Sequence, residues 1–193
     1  MSRSHRTDQL RRRTLATTAL LCLSAGPGGA LASPAADQPE EVGAALAAAR
    51  LLGTATMRFL GWRVYDIRLW AEPGFSPQRF DSLAFALELQ YARRLDGASI
   101  ASRSVEEMQR LGPIKEAQAN SWRAAMVQAF PDVVAGDRIT GLHLPERGTR
   151  FFHNARQTRQ IDGLDFAQLF FGIWLSPATS EPALRRQLLG PLA

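Results

Sequence analysis

The chain reads as one α+β domain, an antiparallel sheet covered by helices, behind an export leader. Three observations predict this. The N-terminus is basic, then apolar, then rich in small residues; strand-like segments fall into two groups; and a pair of helical segments follows each group. Single strands alternating with single helices would instead mark a parallel fold.

In RRRTLATTALLCLSAGPGGALAS, arginines precede an apolar run over about residues 15–25 and a small-residue exit, the pattern of a secretory signal. The run is about half as long as a bilayer-crossing helix must be, so no stable membrane span is expected from it. Ala30, Leu31 and Ala32 fit a small-x-small cleavage site. Residues 1–32 are thus read as the leader and the periplasm as the destination. The general secretory route is preferred to the twin-arginine route that residues 11–13 also admit, because nothing indicates a cofactor loaded before export.

The chain carries 23 Lys+Arg against 18 Asp+Glu. Arg3, Arg6, Arg11, Arg12 and Arg13 belong to the leader, against Asp8 alone, so a net charge of +5 falls to +1 in the mature chain. A nucleic-acid partner loses its electrostatic basis. The single cysteine, Cys22, also lies in the leader, behind Leu21 rather than the small residue that lipidation needs. The mature chain is therefore expected to have no disulfide and no thiolate metal site.

Residues 33–49 are small and polar and read as a flexible segment that finishes in a helical turn, with the domain proper over 50–193. LLGTATMRFL and WRVYDIRLW flank Gly61 as a hairpin, and AEPGFSP closes the second strand. SLAFALELQYA alternates as a third strand, with Phe85, Leu87 and Leu89 on one side. ASIASRSVEEMQRL and EAQANSWRAAMVQAF have helical spacing. In the second, Trp122, Ala125, Met126, Ala129 and Phe130 form a core-facing stripe. DRITGLHLP, TRFFHN and RQTRQI read as three more strands. GLDFAQLFFGIWLS is a helix buried on most of its circumference, widened by Leu164 and Phe171. SEPALRRQLLG is a last helix with Ser180 as N-cap, Pro182 in its first turn and Gly190 past its end.

No familiar catalytic motif is present. His143 and His153 lie on separate strands with no partner at metal-ligand spacing, so no metal or other cofactor is expected. Glu106 and Glu107 are adjacent on a helix, diverge by about 100° and are read as solvent-facing. Strand parity puts Trp62, Val64, Asp66, Arg68 and Trp70 on one face and Arg63, Tyr65, Ile67 and Leu69 on the other. Asp66 and Arg68 are read as a structural pair, bonded to each other or to the next strand.

GTATMRFLGWRVYDIRLW, FPDVVAGDRI and FAQLFFGIWLSPATSEPALRRQLLG resemble the exported bacterial branch of the chalcone isomerase-like proteins, over roughly residues 53–190. The resemblance implies an open-faced β-sandwich, a long antiparallel sheet backed by a helical layer. The family divides between isomerases, which close a phenol oxygen onto an unsaturated ketone, and relatives without that chemistry, some of which bind fatty acids. Ring closure needs a cation for the phenolate and hydroxyl donors for the ketone oxygen. Aligning VYDIRLW with the enzymes' threonine strand puts Tyr65 at the threonine and Gly53 at the arginine, with Arg50 or Arg58 as substitutes in a shifted register. The enzymes' helical tyrosine and asparagine fall near Ala101 and Met108, and their last polar contact near Ile173.

The resemblance therefore implies a domain that is not a chalcone isomerase and binds an apolar or amphipathic small ligand, fatty-acid-like or aromatic, between sheet and helices. Tyr65 and Arg63 are the candidate ligand-binding residues, and no catalytic residue is assigned. The plainer reading of Tyr65 is a half-buried strand tyrosine with an ordinary partner. Two alternatives stand beside this: an isomerase with rearranged groups, and an envelope scaffold anchored by exposed tryptophans.

Overall fold

Gly61 makes the turn that the first hairpin requires. β1 (Arg50–Phe59) and β2 (Trp62–Ala71) pair antiparallel across it. Leu60 at φ 49° and Gly61 at φ 82° are both left-handed, as a two-residue type I′ turn demands. The computed structural model describes residues 38–193. The leader and cleavage site expected over 1–32 lie outside the described residues.

Four more strands extend the sheet: β3 (Phe85–Tyr91), β4 (Arg138–Leu144), β5 (Gly148–His153) and β6 (Arg156–Ile161). All six pair antiparallel in sequence order. Between β3 and β4 the chain leaves the sheet for α2 (Gly97–Leu111) and α3 (Glu116–Ala129), and after β6 it forms α4 (Leu164–Leu175) and α5 (Pro182–Leu189). Asp96 caps α2 by accepting the Ser99 amide at 2.8 Å, which satisfies one of the donors a helix start leaves open. The predicted α3 stripe is buried at Met126, Ala129 and Phe130. Six antiparallel strands backed by helices form an open-faced sandwich, the architecture that the sequence implies.

One face of the sheet packs on α2 to α5. Phe85, Leu87, Phe151, Phe166 and Phe171 are essentially inaccessible there. The helix α4 is buried nearly all round, as expected, except that Leu164 at its start is 56% exposed and does not widen the stripe. The eight residues of α5 are too few for an independent helix. Buried Leu184, Leu188 and Leu189 hold it, at about 1.5–3 kcal/mol each. Its expected N-cap, Ser180, donates its hydroxyl instead to Glu107, at 2.8 Å, and Glu181 takes the cap position without a side-chain bond.

The other face is partly covered by α1 (Glu40–Ala45). The described part of the segment expected to be flexible, residues 38–49, is therefore packed rather than loose. Val42 and Leu46 bury against Trp70, Ala86 and Leu142, and the Glu41 carboxylate accepts from Thr140 Oγ1 at 2.6 Å. Two leucine-sized contacts and one polar bond anchor this turn, too few to register as a periodic stripe in a run of alanines.

Candidate functional site

Between the helix-bearing face of the sheet and α2 and α4 lies a cavity of about 450 Å³, within the usual range of about 300–1,000 Å³ for small-molecule sites. Strand alternation supplies its floor, with Leu87 and Leu89 from β3, Ile139 and Gly141 from β4 and Phe151 from β5. Its roof is the α4 stripe Phe170, Phe171, Ile173 and Trp174. Gly141 lets the Phe171 and Phe151 rings close on the strand: a Cβ there would meet them at 3.2 and 3.3 Å.

Tyr65 and Tyr91 bring phenols into this apolar space, with ring centroids 5.9 Å apart and edge to face. The Tyr65 hydroxyl accepts from Trp174 Nε1 at 3.1 Å. Burial pushes the Tyr65 phenol up to about 12, and the Trp174 bond offsets only part of that. Burial likewise raises Tyr91, with a further push from Tyr65. Both are neutral at physiological pH. Among the described residues nothing accepts the Tyr65 proton, so the hydroxyl can donate into the cavity.

The charged groups that line the cavity are Arg93, Arg103, Glu107 and Glu181. Arg103 is 60% exposed and pairs with Glu107 at 2.5 Å. Arg93 is exposed and forms no ion pair among the described residues. Glu107 corrects the sequence reading: it is 7% exposed, lines the cavity and is held by Arg103 and Ser180, whereas Glu106 remains outside. The cover comes from the segment entering α5, which is distant in sequence. A signal was present all the same, since Ile100, Arg103, Ser104 and Glu107 recur at i, i+3, i+4 and i+7 on α2. Their mixed polarity hid the stripe.

Arg63 is not in the cavity. A register shift puts Met57 opposite Tyr65 but Arg58 opposite Arg63, so Val64 has no partner and strict alternation fails there. Val64 then lines the cavity beside Tyr65, while Arg63 turns to the opposite face and pairs with Asp66. Asp66 also accepts from Thr56 Oγ1 at 2.8 Å. Arg68 does not pair with Asp66. It bonds Glu88, directly opposite on β3, and that fully buried carboxylate also accepts from Trp70 Nε1 at 3.1 Å. Of the tryptophans read as possible anchors, Trp62 is 72% exposed, but Trp70 and Trp174 are buried.

The histidines stay apart in role. His143 packs on Phe85 and Phe171 with Nε2 at 2.8 Å from the Asp81 carbonyl oxygen, and burial lowers its pKa. His153 lies 3.7 Å from Asp137. No group of three or more potential metal ligands occurs among the described residues.

A family model described as chalcone isomerase-like matches residues 75–190, more than half of the chain. The chain belongs to the chalcone isomerase-like family. It is 29% identical over 139 residues to an uncharacterized protein of Haemophilus influenzae, covering 72% of this chain and 67% of the relative. The crystal structure of a fatty-acid binding protein from Arabidopsis thaliana shares the fold. Its TM-score is 0.57 at 12% identity, over 75% of this chain and 88% of that one.

Within this family frame, the positions aligned with the enzymes' polar groups can be located. Gly53 sits under α5, and a Cβ there would lie 2.0 Å from the Leu188 carbonyl oxygen. No arginine side chain fits at that point. Ala101 and Met108 are fully buried, and Ile173 is an apolar wall of the cavity. The suggested substitutes do not reach it either. Arg58 is exposed and bonds the Gly61 carbonyl oxygen at 3.3 Å, and Arg50 is exposed at the far end of β1, opposite Ala71.

Proposed function

We propose that this chalcone isomerase-like domain is a non-catalytic carrier or receptor for an amphipathic, fatty-acid-like molecule. The observation that carries the reading is the cavity's lining, apolar on its sheet and α4 walls, with Arg93, Arg103, Glu107 and Glu181 as its charged groups. Glu107 pairs with Arg103, which leaves Arg93 as the cation without an ion pair among the described residues. Such a site takes a hydrocarbon chain inward and leaves a carboxylate beside Arg93. The Tyr65 hydroxyl adds one donor along the wall. The fold shared with a protein named for fatty-acid binding supports the same choice of ligand. An isomerase reading has less support, because the aligned arginine position is filled by α5 backbone and the only cations lining the cavity among the described residues, Arg93 and Arg103, are exposed.

The test is to strip the protein of lipid and titrate it with palmitic acid and with hexadecanol by displacement of a fluorescent probe. The acid should bind about tenfold or more tightly than the alcohol, and Arg93→Gln should remove most of that difference. Failure of both to displace the probe, with turnover of a chalcone panel, would favour the isomerase. The place of action proposed is the periplasm, on the strength of the leader read over residues 1–32, and cell fractionation tests it.

A further inference from the structure

We propose that the tip of the β1–β2 hairpin is a docking wedge that seats the mouth of the cavity on an anionic lipid surface. Most exposed large apolar residues here stand singly, as Val127, Val134, Leu164 and Leu192 do, and single ones need no explanation. The tip differs. Phe59, Leu60 and Trp62 are 63%, 83% and 72% exposed within four consecutive residues, a contiguous patch of the kind that marks an interaction site.

The turn itself points the same way. Leu60 holds φ 49°, a region that a bulky residue enters only under strain. A type I′ turn is most easily made with asparagine or aspartate before the glycine. Leucine there serves neither the turn nor the core, and its side chain projects into solvent.

Charge selects the occupant. Arg58 is bonded to the Gly61 carbonyl oxygen, so its guanidinium sits at the tip, and Arg63 flanks the other strand. The Ala92 amide bonds the Val64 carbonyl oxygen at 2.9 Å, which brings exposed Arg93 and Arg94 alongside. Over residues 58–66 and 92–94 these four arginines face one carboxylate, Asp66. Arginines around an aromatic and aliphatic point match anionic headgroups above acyl chains. A protein partner would need about 800 Å² of matching surface, and the tip of a two-stranded hairpin offers only three apolar side chains. Phe59 also lines the cavity, so the wedge adjoins the opening through which an amphipathic molecule would pass.

The experiment uses the protein isolated from its host, mixed with phosphatidylcholine vesicles with and without phosphatidylglycerol. Flotation and tryptophan emission are read. Phosphatidylglycerol vesicles should carry the protein and shift its emission to the blue, and both effects should weaken as salt rises. Leu60→Asn supplies the preferred turn residue while removing the apolar group. It should melt no lower than the parent yet partition about tenfold less, and Trp62→Ser should do likewise. The proposal is overturned if no vesicle floats the protein or if both variants float like the parent. It is equally overturned if the tip captures a protein through Trp62 while vesicles stay unbound. Absence of vesicle binding by the parent protein, with its palmitic acid binding intact, would sink the wedge and leave the carrier reading standing.

Discussion

At the scale of single residues, the cavity's character rests on two neutral phenols. The chain has only two tyrosines, Tyr65 and Tyr91, and burial raises both. An unfolded tyrosine ionises near pH 10, so between about 10 and 12 the folded state holds protons that the unfolded state has lost. Stability is therefore complete below about pH 10 and falls as pH rises through that window. Tyrosinate absorbance should stay near zero in the folded protein at pH 10 to 11 and appear only as the chain unfolds. Appearance without loss of structure would show at least one phenol to be accessible. Tyr65→Phe keeps the shape but leaves the Trp174 indole donor without an acceptor. A buried donor so orphaned costs about 1–3 kcal/mol, to be read as a lower urea midpoint at unchanged slope. Tyr65 was legible in the sequence because inner-face alternation holds from Tyr65 to Ala71. Arg63 was not, because the irregularity at Val64 moves one side chain across the sheet and leaves no mark on composition or spacing.

At the scale of elements, the strands and the helices α2 to α5 could be read because each has a period or breakers at its ends. What escaped was created by one element lying on another. β3 shows this: Leu87 faces the helices as expected, yet Glu88 on its opposite side is also fully buried. The Glu88 carboxylate is held by Arg68 across the strand pair, by the Trp70 indole, and by Arg138 at 3.5 Å. Removing one member of a buried ion pair strands the other, at about 3–5 kcal/mol, whereas replacing both with apolar groups of similar volume is often close to neutral. Arg68→Met should therefore destabilise more than Arg68→Met with Glu88→Leu, although the double variant still leaves the buried Trp70 indole without its acceptor. Equal losses in thermal melts would show that the stranded charge costs no more than that orphaned indole. The seat of α5 on β1 gives a second element-scale expectation. Gly53→Ala places a methyl against the Leu188 carbonyl oxygen, and overpacking of this kind costs about 1–3 kcal/mol or more, visible as a lower melting temperature.

At the scale of the whole molecule, the two faces of the sheet are put to different uses. One carries an aromatic core that stops short of filling the space beneath α4, and the other carries ion pairs and the α1 cover. The order of elements foretold the layers. It could not foretell the space between them, because a cavity is set by how far helices stand off the sheet. An unfilled apolar space forfeits dispersion contacts that the protein would otherwise gain, so an occupant that fits should return them. A ligand bound only by the folded state stabilises it by about 2.7 kcal/mol at one hundred times its dissociation constant. For a domain of this size each kcal/mol moves the melting temperature by about 2–4 °C. The delipidated protein should therefore melt about 5–11 °C higher with palmitic acid at that excess. Arg93→Gln should need more acid for the same shift, since the residue is exposed and its loss weakens the ligand's anchor rather than the fold. An equal shift in parent and variant at every concentration would remove Arg93 from the site, and no shift in either would mean that the space beneath α4 does not take the chain.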